Sequence, residues 1–182
     1  MPLLLKDATT FALRGQKRHR AEDTSGTAIY PIHINSESFE FQLVPSGSLD
    51  VRVTADPLTF NDREGMYNMY LAITPDLYND LVKVESGCIE LLSEKHPDII
   101  WRSSLHPATD AYGATLKVKF YDNLQVYNEV GEVTKAPKSW RGARVIPILS
   151  VKAWVNDKGA GLWFTLAAVK LSKPEPRTYT FV

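Results

Sequence analysis

The chain predicts a mainly β fold of short antiparallel strands with one main α-helix, and three features of the sequence carry that expectation. Residues 140–171, WRGARVIPILSVKAWVNDKGAGLWFTLAAVKL, read as one long β-hairpin around the turn formers Asn156-Asp157-Lys158-Gly159. Several shorter runs are β-branched or alternate polar with apolar residues. A single stretch, 75–95, has helical periodicity instead. With 182 residues, 20.4 kDa and 44% hydrophobic residues, the chain can bury a full core and is expected to form a single domain, residues 27–182, behind an N-terminal basic arm, residues 1–26.

Taken in order, Leu3 to Leu5 form an apolar anchor, and the cluster RGQKRHR that follows, with Arg14, Lys17, Arg18 and Arg20, is a phosphate-binding arm, a solvated tail or a localisation signal. Residues 27–34, 38–44 and 49–53 predict a meander of short strands, with Ser46-Gly47-Ser48 as a turn. Pro57, Asn61, Asp62 and Gly65 make 55–65 a loop before a strand at 66–73. The helix that follows has Thr74 as N-cap, Pro75 in the first turn and Asp76 at the positive end of the helix dipole. Leu77, Leu81, Val84, Cys88, Leu91 and Leu92 form its apolar stripe, and His96-Pro97 ends it. Cys88, the single cysteine, falls on that stripe and is assigned to packing; it excludes an intrachain disulfide. A short strand is expected at 99–101, followed by an irregular stretch. TLKVKFY at 115–121 then alternates strictly, so Leu116, Val118 and Phe120 face inward while Lys117, Lys119 and Tyr121 face outward. Residues 124–127 form another strand, and 128–144 a loop carrying Trp140, Arg141 and Arg144.

In the final hairpin, pairing Val155 with Leu162 would place Leu149, Val151, Ala153 and Val155 on the core face. Ser150, Lys152 and Trp154 then fall on the other face, with Trp154 directly opposite Trp163. That pair is either a stacking platform or part of a second core layer, since large rings are usually well buried.

The 21 Lys and Arg balance 21 Asp and Glu, yet the charges segregate along the chain. Residues 1–20 carry five cations and one acid, 21–114 five and fifteen, and 115–182 eleven and five. A globally neutral chain of this kind can still present a basic groove. Lys117, Lys119 and Tyr121, Trp140, Arg141 and Arg144, and Lys152, Trp154 and Trp163 each combine cations with rings at positions expected to be exposed. Single-stranded nucleic acid is held by that combination, cations along the phosphates and rings under the bases.

The order of these elements resembles the single-stranded DNA-binding proteins of tailed phages and large DNA viruses, over most of the chain. The recognisable part is Arg141-Gly142 together with the W-x-x-x-x-G-x-G-L hairpin from Trp154 through Gly159 and Gly161 to Leu162. The resemblance implies an OB-fold-like antiparallel β-barrel, with a helix between its third and fourth strands, acting in DNA replication or recombination without strong sequence specificity. Its partner would be single-stranded DNA or RNA, with a homo-oligomer and replication proteins as further partners. Many members end in an acidic tail, whereas this chain ends Lys173-Pro-Glu-Pro-Arg-Thr-Tyr-Thr-Phe-Val182, which makes recruitment through such a tail doubtful.

Other classes have weaker support. No catalytic glycine or histidine motif is present, and the acids Asp56, Asp62 and Glu64, which a metal-dependent nuclease would need, are loosely spaced. The expectation is therefore no enzyme, no cofactor and no metal. A viral structural or assembly protein with a β-sandwich fold fits the strand content, but does not explain lysines alternating with rings. No apolar run is long enough for a membrane span, and the start of the chain is too short and too soon charged for a signal peptide, so an intracellular protein is expected, in the host cytoplasm or nucleus if viral.

Overall fold

The computed structural model describes residues 3–4, 11–13, 17–18, 26–34, 40–42 and 51–172. Five strands precede the ring of the fold: β1 (Leu3–Leu4), β2 (Phe11–Leu13), β3 (Lys17–Arg18), β4 (Ala28–Ile34) and β5 (Glu40–Gln42). Then come β6 (Val51–Val53), β7 (Leu58–Phe60), β8 (Arg63–Ala72), α1 (Pro75–Ser93), β9 (Trp101–Arg102), β10 (Leu105–His106) and β11 (Thr115–Tyr121). The chain continues through β12 (Gln125–Tyr127) and β13 (Val133–Thr134) into the long pair β14 (Arg144–Asn156) and β15 (Gly159–Leu171).

Pairing among five of these strands closes a ring. β14 pairs with β6, β6 with β8, β8 with β11 and β15 with β14, all antiparallel, and the ring is completed by one parallel bridge between Lys119 of β11 and Thr165 of β15. This is the mainly β, OB-like arrangement expected from the sequence. Counted along the ring, the helix lies between its second and third strands, one step earlier than the family resemblance implied. Inward side chains alternate along each ring strand, with Val53, Leu71, Leu116, Val118, Leu149, Val151, Leu162 and Phe164 all nearly or fully buried.

Helix α1 forms where its start signals place it. The Thr74 hydroxyl accepts from the Leu77 backbone N–H at 3.3 Å, and the last helical residue is Ser93, two short of the expected end. Leu77, Leu81, Val84, Cys88 and Leu92 are buried and join one hydrophobic cluster with the ring interior, while Leu91 is half-buried. Glu85 sits on the same buried face because Ser103 Oγ donates to both of its carboxylate oxygens, at 2.7 and 2.9 Å.

The hairpin differs from its expected register by two residues. Asn156 pairs with Gly159, so the turn is only Asp157-Lys158, braced by the Lys158 N–H donating to Asn156 Oδ1 at 2.9 Å. Val155 therefore faces Ala160, Ala153 faces Leu162 and Val151 faces Phe164. A shift of two keeps every residue on its own face and changes every partner. Trp154 consequently lies opposite Gly161, not opposite Trp163, and Lys152 lies opposite Trp163. Beyond it, a bulge at Ile148/Leu149 reverses the alternation: Ala168, which pairing Val155 with Leu162 would have set against Leu149 in the core, pairs with Ile148 and is half-buried while Val169 turns inward.

Part of the expected arm is also sheet. β2 and β3 both pair with β4, with Lys17 opposite Ile29 and Arg18 opposite Ala28. Arg14 and Arg20, the turn at 46–48 and the C-terminal residues 173–182 lie outside the described residues.

A β-carbon at position 161 would stand 2.9 Å from Trp154 Nε1 and closer still to the Arg102 carbonyl oxygen, so glycine is what lets the indole lie across the neighbouring strand. Gly161→Val is expected to lower stability by about 1–3 kcal/mol, as forced overpacking does. Urea midpoints of the two proteins check this; equal midpoints would show that both the indole and the β9 backbone at Arg102 can give way.

Candidate nucleic-acid interface

The outward-facing residues of the ring strands form one surface. On β11 these are Thr115, Lys117, Lys119 and Tyr121, and across from the last three stand Tyr70, Asn68 and Met66 of β8. Beyond β8, β7 adds Leu58, opposite Asn68, and Phe60. On the other side β15 contributes Trp163 and Thr165, and β14 contributes Ser150, Lys152 and Trp154. The Tyr70 ring lies 5.9 Å from that of His106, and Tyr121 is exposed.

A row of rings crosses this surface diagonally from strand to strand. Trp154 and Trp163 are diagonal neighbours whose rings stack with centroids 6.2 Å apart and an interplanar angle of 26°. Both are half-buried, between the platform and core-layer alternatives, while Lys152 beside them is exposed. From Trp163 the row continues through Lys119, whose Nζ lies 3.8 Å from the Trp163 ring centroid and 3.8 Å from that of Phe60.

Lys119 was expected to be solvated and is only 9% exposed. The reason is the two rings, which close over the outer face of β11 where it meets β15. Burial, with Lys117 and Arg63 as positive neighbours, pushes the Lys119 ammonium down to about 7. The ring faces act in the opposite sense, favouring the charged form. Lys117, two residues earlier on the same face, is half-buried.

Trp140 also departs from expectation. It is 7% exposed and packs on Phe120, centroids 6.4 Å apart, which itself stacks on Tyr67 at 5.1 Å. Its indole is thus core and is no surface platform for a base. The cause is Asp56, whose carboxylate accepts from the Ser139 hydroxyl at 2.9 Å and from the backbone N–H groups of Trp140 and Arg141 at 2.6 and 3.2 Å. These bonds, with the Arg141 charge, hold the Asp56 carboxyl below its ordinary value. The loop is fastened further by Gly142 N–H donating to the Val53 carbonyl at 2.8 Å. Trp140 turns in while Arg141 stays exposed.

The predicted residues are therefore not all together. Lys117, Lys119, Tyr121, Lys152, Trp154 and Trp163 share one face. Arg144, half-buried opposite Arg52, is six residues along β14 from Ser150, roughly 20 Å at strand spacing. Phe60, Asn68, Tyr70 and Arg63 were missed. Phe60 sits in the stretch read as a loop, where binding groups often lie, but nothing in its own sequence shows that it folds back over Lys119. Asp56 is engaged as a loop cap, and among the described residues no three His, Cys, Asp or Glu side chains group to hold a metal ion. Nor is any described helix long and apolar enough to cross a membrane. Cys88 is buried and its thiol is pushed up to about 12.

No family model and no curated protein sequence matches this chain. Among solved structures it is similar to the C-terminally truncated single-stranded DNA-binding protein of bacteriophage Enc34, with a TM-score of 0.55 at 16% identity over 90% of this chain and 98% of that one. The same protein in complex with single-stranded DNA gives 0.55 at 16%, over 86% and 95%. The single-stranded DNA-binding protein gp2.5 of bacteriophage T7 gives 0.53 at 19%, over 78% and 90%. The chain shares their fold.

The position of Lys119 makes stability depend on pH in a calculable direction. Unfolded, the side chain keeps its proton to about 10.5; folded, it loses it near 7, so between these values the unfolded chain binds more protons and stability rises with pH. The contribution is complete above 10.5 and lost as pH falls through 7. A single group can contribute a slope of up to about 1.4 kcal/mol per pH unit. Urea midpoints at pH 7 and 9 are expected to rise in the wild type relative to Lys119→Met; parallel profiles would mean that the ammonium is solvated.

Proposed function

We propose that this protein binds single-stranded DNA through the outer face of the ring, without strong sequence preference and without catalysing a reaction. The observation that carries the reading is the cation-interleaved row of rings, Phe60, Lys119, Trp163 and Trp154, flanked by Lys117 and Lys152. Rings stack any base and cations follow any phosphate, so the combination selects for unpaired strands over particular sequences. OB-type barrels bind oligonucleotides on an outer strand face with its adjoining loops, and here the row runs over β7, β11, β15 and β14. The fold shared with phage single-stranded DNA-binding proteins supports the same reading and suggests a place in replication or recombination.

Arg141, Arg144 and the basic residues Arg14, Lys17, Arg18 and Arg20 extend this proposal as phosphate contacts beyond the aromatic row. An assembly interface is the competing use of exposed rings, and it is separated by salt. Phosphate contacts release counterions, whereas apolar association does not.

Two measurements follow. The affinity for a labelled dT oligomer is expected to fall steeply between about 50 and 200 mM salt, with duplex DNA bound more weakly; a flat salt dependence would count against phosphate contact. Trp154→Ala is expected to weaken dT binding by about 1–3 kcal/mol with a smaller change in urea midpoint. Trp140→Ala should do the reverse, costing about 3–5 kcal/mol of stability and leaving the affinity of the folded fraction alone. If Trp154→Ala unfolds the protein and spares binding, the row is core.

A further inference from the structure

The ammonium of Lys119 lies over two ring faces at once, and its distances limit how far apart those rings can be. With Nζ 3.8 Å from each centroid, the Phe60 and Trp163 centroids are at most twice that, 7.6 Å, apart. A flat ring in contact with a ring on each side needs about 3.5 Å per side, or about 7 Å in all. We propose that the space between Phe60 and Trp163 is a nucleobase slot, filled in the free protein by the protein's own Lys119, which an incoming base displaces. This rests on the single-stranded DNA-binding reading and adds to it a defined subsite with a built-in occupant.

The 7.6 Å limit admits a sandwiched base without itself setting the gap, and three observations support the slot. The charged neighbours that act on Lys119 are Lys117 and Arg63, both positive, so the ammonium is held there by ring faces in an otherwise repulsive and poorly hydrated place. Asn68 stands directly across from Lys119 on β8, and its side-chain oxygen is buried with no hydrogen-bond partner. Such an acceptor suits an N–H on the edge of a base. Leu58, next outward from Asn68, is 71% exposed and gives the slot an apolar lip.

Displacement costs the lysine two cation–π contacts and returns it to water and to the phosphate of the entering nucleotide. The base gains a ring on either face and a partner in Asn68. The bland alternative is that Phe60, Lys119 and Trp163 form a fixed clasp tying β7 to the ring closure, with bases stacking only on the outside of Trp154.

The test follows Lys119 itself by NMR of the full chain with isotopically labelled lysine, the Lys119 signals being assigned from their loss in Lys119→Arg. Lying between two rings, its ε-methylene protons are expected far upfield of an ordinary lysine in the free protein. Saturation with a dT oligomer of about 12 nucleotides, within the site size of one such domain, should bring them back to the ordinary position. An abasic oligomer of the same length, which offers phosphates but no bases, should leave them upfield. Phe60→Ala should weaken dT binding roughly 5- to 150-fold, the loss of one stacking face, and leave abasic binding unchanged. Signals that stay upfield with dT bound, or that move equally with the abasic chain, would overturn the slot while leaving DNA binding intact. Absence of dT binding altogether would overturn both.

Discussion

The two-residue turn at Asp157-Lys158 is the constraint on which the rest of this molecule depends. It fixes the register of β14 against β15, and these two strands between them pair with β4, β5, β6, β9, β11 and β12. Because the turn closes at Asn156 and Gly159, Trp154 falls opposite Gly161 and lies across the strand, and Trp163 falls beside Lys152. The parallel bridge at Thr165 then sets Lys119 next to Trp163. A turn centred one residue later, between Lys158 and Gly159, would have kept the same core face and produced a different surface. The site is thus a consequence of register more than of composition.

That distinction also explains what could be read in the sequence. Period and capping are local properties, and they were legible: the Thr74-Pro75 helix start, the inward Leu116, Val118 and Phe120, and the face assignment along most of β14. Partners are set by the whole chain. Nothing near Val155 distinguishes Ala160 from Leu162 as its partner, and nothing near Trp140 shows that Asp56, 84 residues away, will cap its loop and turn its indole inward. Lys119 looked like an ordinary solvated lysine of an alternating strand, because the rings that cover it come from β7 and β15. Acids in the negative middle of the sequence behave likewise: Asp56 and Glu85 accept internal hydrogen bonds instead of spreading repulsion over the surface.

Two of the proposed contact residues are positioned by loops built in different ways. Arg141 is carried on a loop held by Asp56 and by hydrogen bonds to Val53. Phe60 stands at the end of a short outer strand whose following residues, Asn61, Asp62 and Gly65, all take left-handed backbone conformations. Such a reversal lets a ring project over β11 from outside the ring of strands.

The ring closure has a further consequence for how the chain reaches this structure. The β14–β15 hairpin joins residues close in sequence and can form within about 1–10 μs. Closing the ring joins Arg52 to Arg144, 92 positions apart, and Lys119 to Thr165, 46 apart. Long-range pairings of this kind place β proteins in the millisecond-to-second class, since loop-closure entropy must be overcome before the contacts reward it. A hairpin formed ahead of that closure would have neither Phe60 nor Lys119 against its outer face. The two tryptophans would then be an uncovered apolar patch on a newly made sheet, the kind of surface through which folding chains associate as concentration rises.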